Sequence, residues 1–128
     1  MRVLLDTHVF LWWVTDDPQL SFASRSIIAD SSNVLFLSVA STWEIVIKNK
    51  SGKLTLPESV EEYIPSRLAL NRFESLSIQL THTLKVATLP NIHRDPFDRI
   101  LIAQSQVENL PILTIDPLIA QYSVETIW

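Results

Sequence analysis

Short apolar runs alternate along this chain with longer stretches of helical period, and the alternation predicts strands separated by helices. Val3 to Leu5 is the first run and ends at Asp6. Thr7 to Val14, carrying Phe10, Leu11, Trp12 and Trp13, reads as a helix that Asp16, Asp17 and Pro18 break. Ser21 to Ala29 reads as a second helix with Phe22, Ile27 and Ile28 as its apolar members. Val34 to Leu37 has the unbroken apolar character of a strand buried on both faces.

Helical spacing returns from Val39 to Lys50 and stops at Ser51 and Gly52, where a left-handed C-terminal cap is expected. Pro57 opens a further helical stretch that Pro65 is expected to interrupt. Ser75 to Ile78 is read as a strand, Thr81 to Thr88 as a helix ended by Pro90, and Pro96 to Glu108 as a helix supported by Phe97, Ile100, Leu101, Ala103 and Gln104. Ile112 to Ile115 is another buried strand. Asp116 and Pro117 then begin a short helix, and Val124 to Ile127 is read as the last strand. This order predicts an α/β fold of three layers, α/β/α, with a mainly parallel central sheet. No linker, repeat or low-complexity segment divides the chain, so residues 1–128 read as one domain.

Composition narrows the function classes. A hydrophobic content of 47% against 19% charged residues excludes a disordered chain and suits a sheet covered by helices. With no cysteine, disulfides, thiolate metal sites and cysteine nucleophiles are excluded. The N-terminal apolar run is interrupted by Asp6 and His8, unlike a signal peptide, and no apolar stretch is long enough to span a bilayer. The expectation is a soluble, cytoplasmic protein without a membrane partner. A net charge of −4 argues against broad binding to nucleic acid, but carboxylates that hold divalent cations are counted as negative in that sum.

Four of those carboxylates, Asp6, Glu44, Asp98 and Asp116, fall where the chain passes from strand to helix. In a parallel sheet such positions gather outside the carboxyl ends of the strands, where ligands bind. Each also has an ordinary explanation. Asp6 and Asp116 are good N-caps, the latter followed by Pro117. Glu44 completes a capping box with Ser41 in STWE, unless Ser38 is the cap and Glu44 lies deeper in the helix. In DPFD, Asp95 with Pro96 is read as the cap, which places Asp98 on the first turn, where the helix dipole favours an anion. Four converged carboxylates repel one another unless a cation compensates, and hard oxygen donors select Mg²⁺ or Mn²⁺. Metal-assisted phosphoryl transfer fits that chemistry.

The segments LLDTHVFLWW from Leu4, SVASTWEIVIKNKSGKL from Ser38, LPNIHRDPFDRILIAQS from Leu89 and LTIDP from Leu113 resemble the PIN-domain ribonucleases, and among them the VapC-type toxins of bacterial toxin–antitoxin pairs. The likeness runs over essentially the whole chain. It implies a PIN-like sheet between helices, with Asp6, Glu44, Asp98 and Asp116 at the family's acidic metal-binding positions and no departure at any of them. Asp6 and Asp98 match the most constant positions and are the first choices as direct ligands. The implied activity is hydrolysis of RNA by metal-activated water, with Mg²⁺ as cofactor and Mn²⁺ as substitute, leaving a 5′ phosphate and a 3′ hydroxyl. The implied partners are an RNA substrate, a cognate antitoxin protein and a second copy of the chain.

The remaining polar residues have two readings each. Thr7 either orients water or phosphate or is an early helix residue, and Thr114 either supplies a hydroxyl to the site or fills a strand position. Lys48, one turn after Glu44, either positions that carboxylate or forms a surface ion pair. Arg94 and Arg99, flanking Asp98, either contact phosphates or are solvated surface residues, and the surface reading is preferred. His93 and Asp95 belong to the subfamily's motif before the helix, and no histidine is assigned as a metal ligand. Trp12 and Trp13 exceed what one buried helix face can use, which points to a contact surface for a dimer mate or antitoxin. The alternative function is a non-catalytic PIN-like module that binds RNA or protein. An aspartyl-phosphate phosphatase would need a second Asp where His8 stands, and a receiver domain an Asp after the middle strand Val34 to Leu37.

Overall fold

A computed structural model describes residues 1–128. In chain order it contains β1 (Arg2–Leu5), α1 (Thr7–Val14), α2 (Phe22–Ala29), β2 (Val34–Ser38), α3 (Val39–Lys50), α4 (Val60–Asn71), β3 (Glu74–Leu76), α5 (Leu80–Val86), α6 (Pro96–Glu108), β4 (Ile112–Leu113), a 3₁₀ turn (Ile119–Gln121) and β5 (Thr126–Ile127). The five strands form one sheet in the order β3-β2-β1-β4-β5, and every neighbouring pair is parallel.

Alternation along the central strands sends successive side chains to opposite faces. Val3 and Leu5 of β1 join Leu35 and Leu37 of β2 in a core closed by Val9 and Phe10 of α1, Ile28 of α2, Ile45 of α3 and Tyr63 and Ile64 of α4. Leu4 and Ile112 face the other way, against Leu101 and Ile102 of α6 with Ile119 and Tyr122. α5 packs beside α6 on that second face. The result is the three-layer arrangement expected from the sequence, and the sheet is wholly rather than mainly parallel.

Strand order reverses beside β1. The chain proceeds outward through β2 and β3, then returns across the other face to place β4 on β1's opposite edge. A crevice opens at such a switch point, outside the carboxyl ends of the two strands. Asp6 follows β1 directly, and Thr114 to Asp116 follow β4.

Several local expectations change. Pro65 lies inside α4 instead of interrupting it. The missing N–H forfeits one helical bond and the ring is sterically unfavourable, at about 3 kcal/mol. Burial of Val60, Tyr63 and Ile64 around an exposed proline offsets that cost. The helix also starts at Val60 after Ser59, not at Pro57. Phe22 is 85% exposed, so Ile28 anchors α2. β4 ends at Leu113, two residues early, because Ile115 turns out to solvent. Gly52 adopts the expected left-handed conformation (φ 78°), with its N–H on Asn49 and the Lys53 N–H on Lys48, a Schellman closure of α3. No helix is long and apolar enough to cross a membrane.

Candidate active site

Asp6 occupies the N-cap position of α1, yet its side chain makes no capping bond. Instead the Thr114 hydroxyl donates to its Oδ2 at 2.6 Å, across the β1–β4 seam. The Asp6 N–H donates to the Leu113 carbonyl at 3.1 Å, so the same seam holds the backbone. Only 4% of Asp6 remains exposed. The capping explanation of this residue therefore fails, and a buried carboxylate at the switch point takes its place.

Ser38 resolves the position of Glu44. Its hydroxyl caps α3, accepting from the Ala40 N–H at 3.0 Å, so Glu44 sits on the second turn and no STWE capping box forms. Ser41 instead accepts the Thr7 hydroxyl at 2.8 Å, which ties the start of α1 to α3. Glu44 is buried, and the Lys48 ammonium donates to its Oε2 at 2.7 Å. The hydrogen bond to Glu44, with the charges of Glu44, Asp95 and Asp98, raises the Lys48 pKa above its ordinary value. Lys48, itself 39% exposed at the side chain, thus pairs with a buried carboxylate.

The two acids of DPFD divide as expected. Asp95 caps α6, its Oδ1 accepting from the N–H groups of Phe97 (2.9 Å) and Asp98 (3.2 Å), with Pro96 at the helix start. Asp98 projects from the first turn, 15% exposed at its side chain, with His93 Nε2 3.2 Å from Oδ2. Asp116 lies at the end of the β4 segment. Its N–H donates to the Thr114 hydroxyl at 3.0 Å, and its Oδ1 accepts from the Leu118 N–H at 2.9 Å. Thr114, buried, therefore joins Asp6 to Asp116 through a single oxygen.

All four carboxylates share one electrostatic field. Burial, followed by the charges of Asp95, Asp6, Glu44 and Asp116, pushes the Asp98 pKa up to about 8. Burial also raises Asp6, against the stabilising Thr114 hydrogen bond and with added repulsion from Asp116 and Glu44. Mutual repulsion of this kind is what a divalent cation relieves, and the donors are all hard oxygens. The residues present fit such an ion in the chemistry of their donors. Their side chains do not form a ready cluster: no three His, Asp or Glu groups meet at metal-binding distance. Lys48, His93 and Thr114 each hold one acid by a hydrogen bond.

The family profile of the PIN domain matches residues 3–125. The chain belongs to the PIN domain family. Ribonuclease VapC16 of Mycobacterium tuberculosis (strain ATCC 25618 / H37Rv) is 40% identical over 60 residues, which is 47% of this chain and 43% of that protein. The matched region thus takes in less than half of that relative's length. Among solved structures, VapBC2 from Rickettsia felis, bound to a DNA fragment from its promoter, aligns over 99% of this chain and 98% of the other with a TM-score of 0.72. VapBC-1 from nontypeable Haemophilus influenzae aligns over 99% and 97% with a TM-score of 0.68. Both are 15% identical, and the likeness is one of fold.

Within this PIN domain, sequence reasoning missed Tyr122 and misassigned Arg99. Arg99 is a brace, not a solvated surface residue: it donates to the Pro90 carbonyl at 2.9 Å and to the Tyr122 hydroxyl at 3.1 Å. Tyr122 is buried and meets His93 Nδ1 at 2.8 Å. A tyrosine in a late loop carries no periodic signal that relates it to a motif 29 residues upstream. The tryptophan pair is also more engaged than expected. Trp12 packs edge-on against Trp128 at 6.0 Å, and Trp13 donates to Asn71 Oδ1 at 2.9 Å. Exposed apolar residues near the site lie on α3, at Val39, Trp43 and Ile47, and beside Asp116, at Ile115 and Leu118.

Proposed function

We propose that this PIN domain is a metal-dependent endoribonuclease, the toxin of a toxin–antitoxin pair, and that Asp6, Glu44, Asp98 and Asp116 hold Mg²⁺, with Mn²⁺ able to substitute. The observation that carries the reading is the gathering of these acids at the switch point, where burial first, and then the charges of Asp95, Asp6, Glu44 and Asp116, push Asp98 up to about 8. The VapC16 relative and the VapBC complexes support the nuclease and antitoxin assignments.

When bound, Mg²⁺ supplies a Lewis acid that acidifies a water and polarises the phosphodiester. The chain's own groups set the geometry for that chemistry. Thr114 fixes the Asp6 carboxylate and the turn carrying Asp116. Lys48 supplies a cation beside Glu44, where it can hold a substrate phosphate oxygen. Hydrolysis breaks the P–O3′ bond: the water oxygen stays on phosphorus as part of a 5′ phosphate, and a proton ends on the 3′ oxygen. The apolar Val39, Trp43 and Ile47 on α3 support a protein contact there, with the antitoxin or a second copy of the chain.

One observation favours a second reading, a non-catalytic PIN-like module that binds RNA or protein. Glu44, Asp98 and Asp6 are each bonded to a protein partner, and no three acids meet in a ready cluster. Controlled expression with mapping of RNA ends separates the two. The nuclease gives growth arrest and new 5′-phosphate ends in wild type and neither in Asp98→Asn. The binding module gives no new ends from either chain.

A further inference from the structure

Asp98, His93, Tyr122 and Arg99 form a circuit whose hydrogen-bond directions follow from one obligate donor. Arg99 has only N–H groups to offer, and its guanidinium donates to the Tyr122 oxygen at 3.1 Å. The His93 backbone N–H donates to the same oxygen at 3.3 Å. With both acceptor positions of the phenol taken, its single proton points to the remaining neighbour, His93 Nδ1 at 2.8 Å. Nδ1 is then an acceptor, and in the neutral imidazole the proton resides on Nε2, which faces Asp98 Oδ2 at 3.2 Å. Arg99 also holds the Pro90 carbonyl at 2.9 Å and follows Asp98 on α6, so the circuit closes on the carboxylate's own helix.

We infer that Arg99 and Tyr122 set His93 as an Nε2–H donor, making the three a positioning relay that orients the Asp98 carboxylate for a divalent cation. The inference rests on the proposed metal site. The relay is shielded: Tyr122 is 4% exposed, and the His93 side chain 10%. Burial keeps water from competing for these bonds and preserves their direction. His93 engages Oδ2 and leaves Oδ1 to other partners. None of the three residues touches Asp6, Glu44 or Asp116 by hydrogen bond, so their effect reaches the site through Asp98 alone. Outer-shell partners of this type change metal affinity by about 10–100-fold when lost.

The test pairs Mn²⁺ binding, measured by calorimetry, with ¹⁵N imidazole spectra of the metal-free protein, in which only three histidines report. Wild type is expected to show His93 as the Nε2–H tautomer. Tyr122→Phe is expected to lose that tautomer's dominance and to bind Mn²⁺ about 10-fold more weakly, at temperatures where circular dichroism shows it folded. His93→Gln, which retains an N–H donor, should bind more tightly than His93→Leu. An Nδ1–H tautomer in wild type, or Tyr122→Phe binding Mn²⁺ as tightly as wild type, overturns the relay while leaving the metal site in place. Wild type that binds no Mn²⁺ overturns the metal reading and the relay's role with it. The spectra require no variant to fold.

Discussion

The Thr114 hydroxyl donates to Asp6 Oδ2 at 2.6 Å across 108 residues of sequence, and the same oxygen accepts the Asp116 N–H at 3.0 Å. One buried hydroxyl thus fixes the acid after β1 relative to the acid after β4. Thr114→Val keeps the shape and removes both bonds. The buried Asp6 carboxylate loses a partner, which costs about 1–3 kcal/mol, while the half-buried Asp116 N–H can turn to water. Urea denaturation at pH 7 is expected to show a loss in that range, and Thr114→Ser should recover most of it.

Asp98 gives the metal-free protein a specific pH dependence. Its folded pKa, about 8, lies above the ordinary 3.8, so the native state retains a proton that the unfolded chain has released. Stability from this group is fully present below the lower value and declines as pH rises toward the upper one. Thermal unfolding in chelator is therefore expected at a lower midpoint at pH 8 than at pH 5, with a shallower decline in Asp98→Asn. Asp6, shifted in the same direction, adds to the slope that remains.

Magnesium should reverse that trend. A ligand that binds only the folded state at 100 times its dissociation constant adds about 2.7 kcal/mol. Saturating Mg²⁺ is expected to raise the unfolding midpoint at pH 8 in wild type and to leave Asp98→Asn nearly unmoved.

The two acids of DPFD should separate cleanly in stability. Asp95→Ala removes the cap bonds to Phe97 and Asp98 and is expected to cost about 1 kcal/mol at pH 5, and less at pH 8, where loss of the Asp95 charge also relieves Asp98. Asp98→Asn, by removing a buried charge and its repulsion by neighbouring acids in chelator, is expected to stabilise at pH 8. Chemical denaturation of the two variants side by side checks the opposite signs.

Much of this was legible before the structure because the informative contacts are local. Strand-then-acid-then-helix order placed Asp6 and Asp116 at one sheet edge, and Asp95 with Pro96 read directly as a cap, whereas Asp98 comes from the first turn of α6, which follows α5 and not a strand. Glu44 was ambiguous because Ser38 and Ser41 are both good caps. The choice was made by tertiary contact, since Thr7 occupies the Ser41 hydroxyl. Pro65 and Phe22 misled because local propensity was outweighed in one case by burial of neighbours and in the other by the orientation of α2. Tyr122 and Arg99 were hidden because their partners lie far away in sequence and the bonds carry no periodicity.

The most direct test of the proposed site is cleavage of a defined single-stranded RNA by purified protein with and without magnesium, with 5′ ends mapped on the products. Wild type is expected to yield 5′-phosphate ends only when Mg²⁺ is present, and both Asp6→Asn and Asp98→Asn to fall by at least about 100-fold, on the scale of losing a group required in the transition state. Either variant cleaving at the wild-type rate with magnesium present would contradict the assignment of these carboxylates.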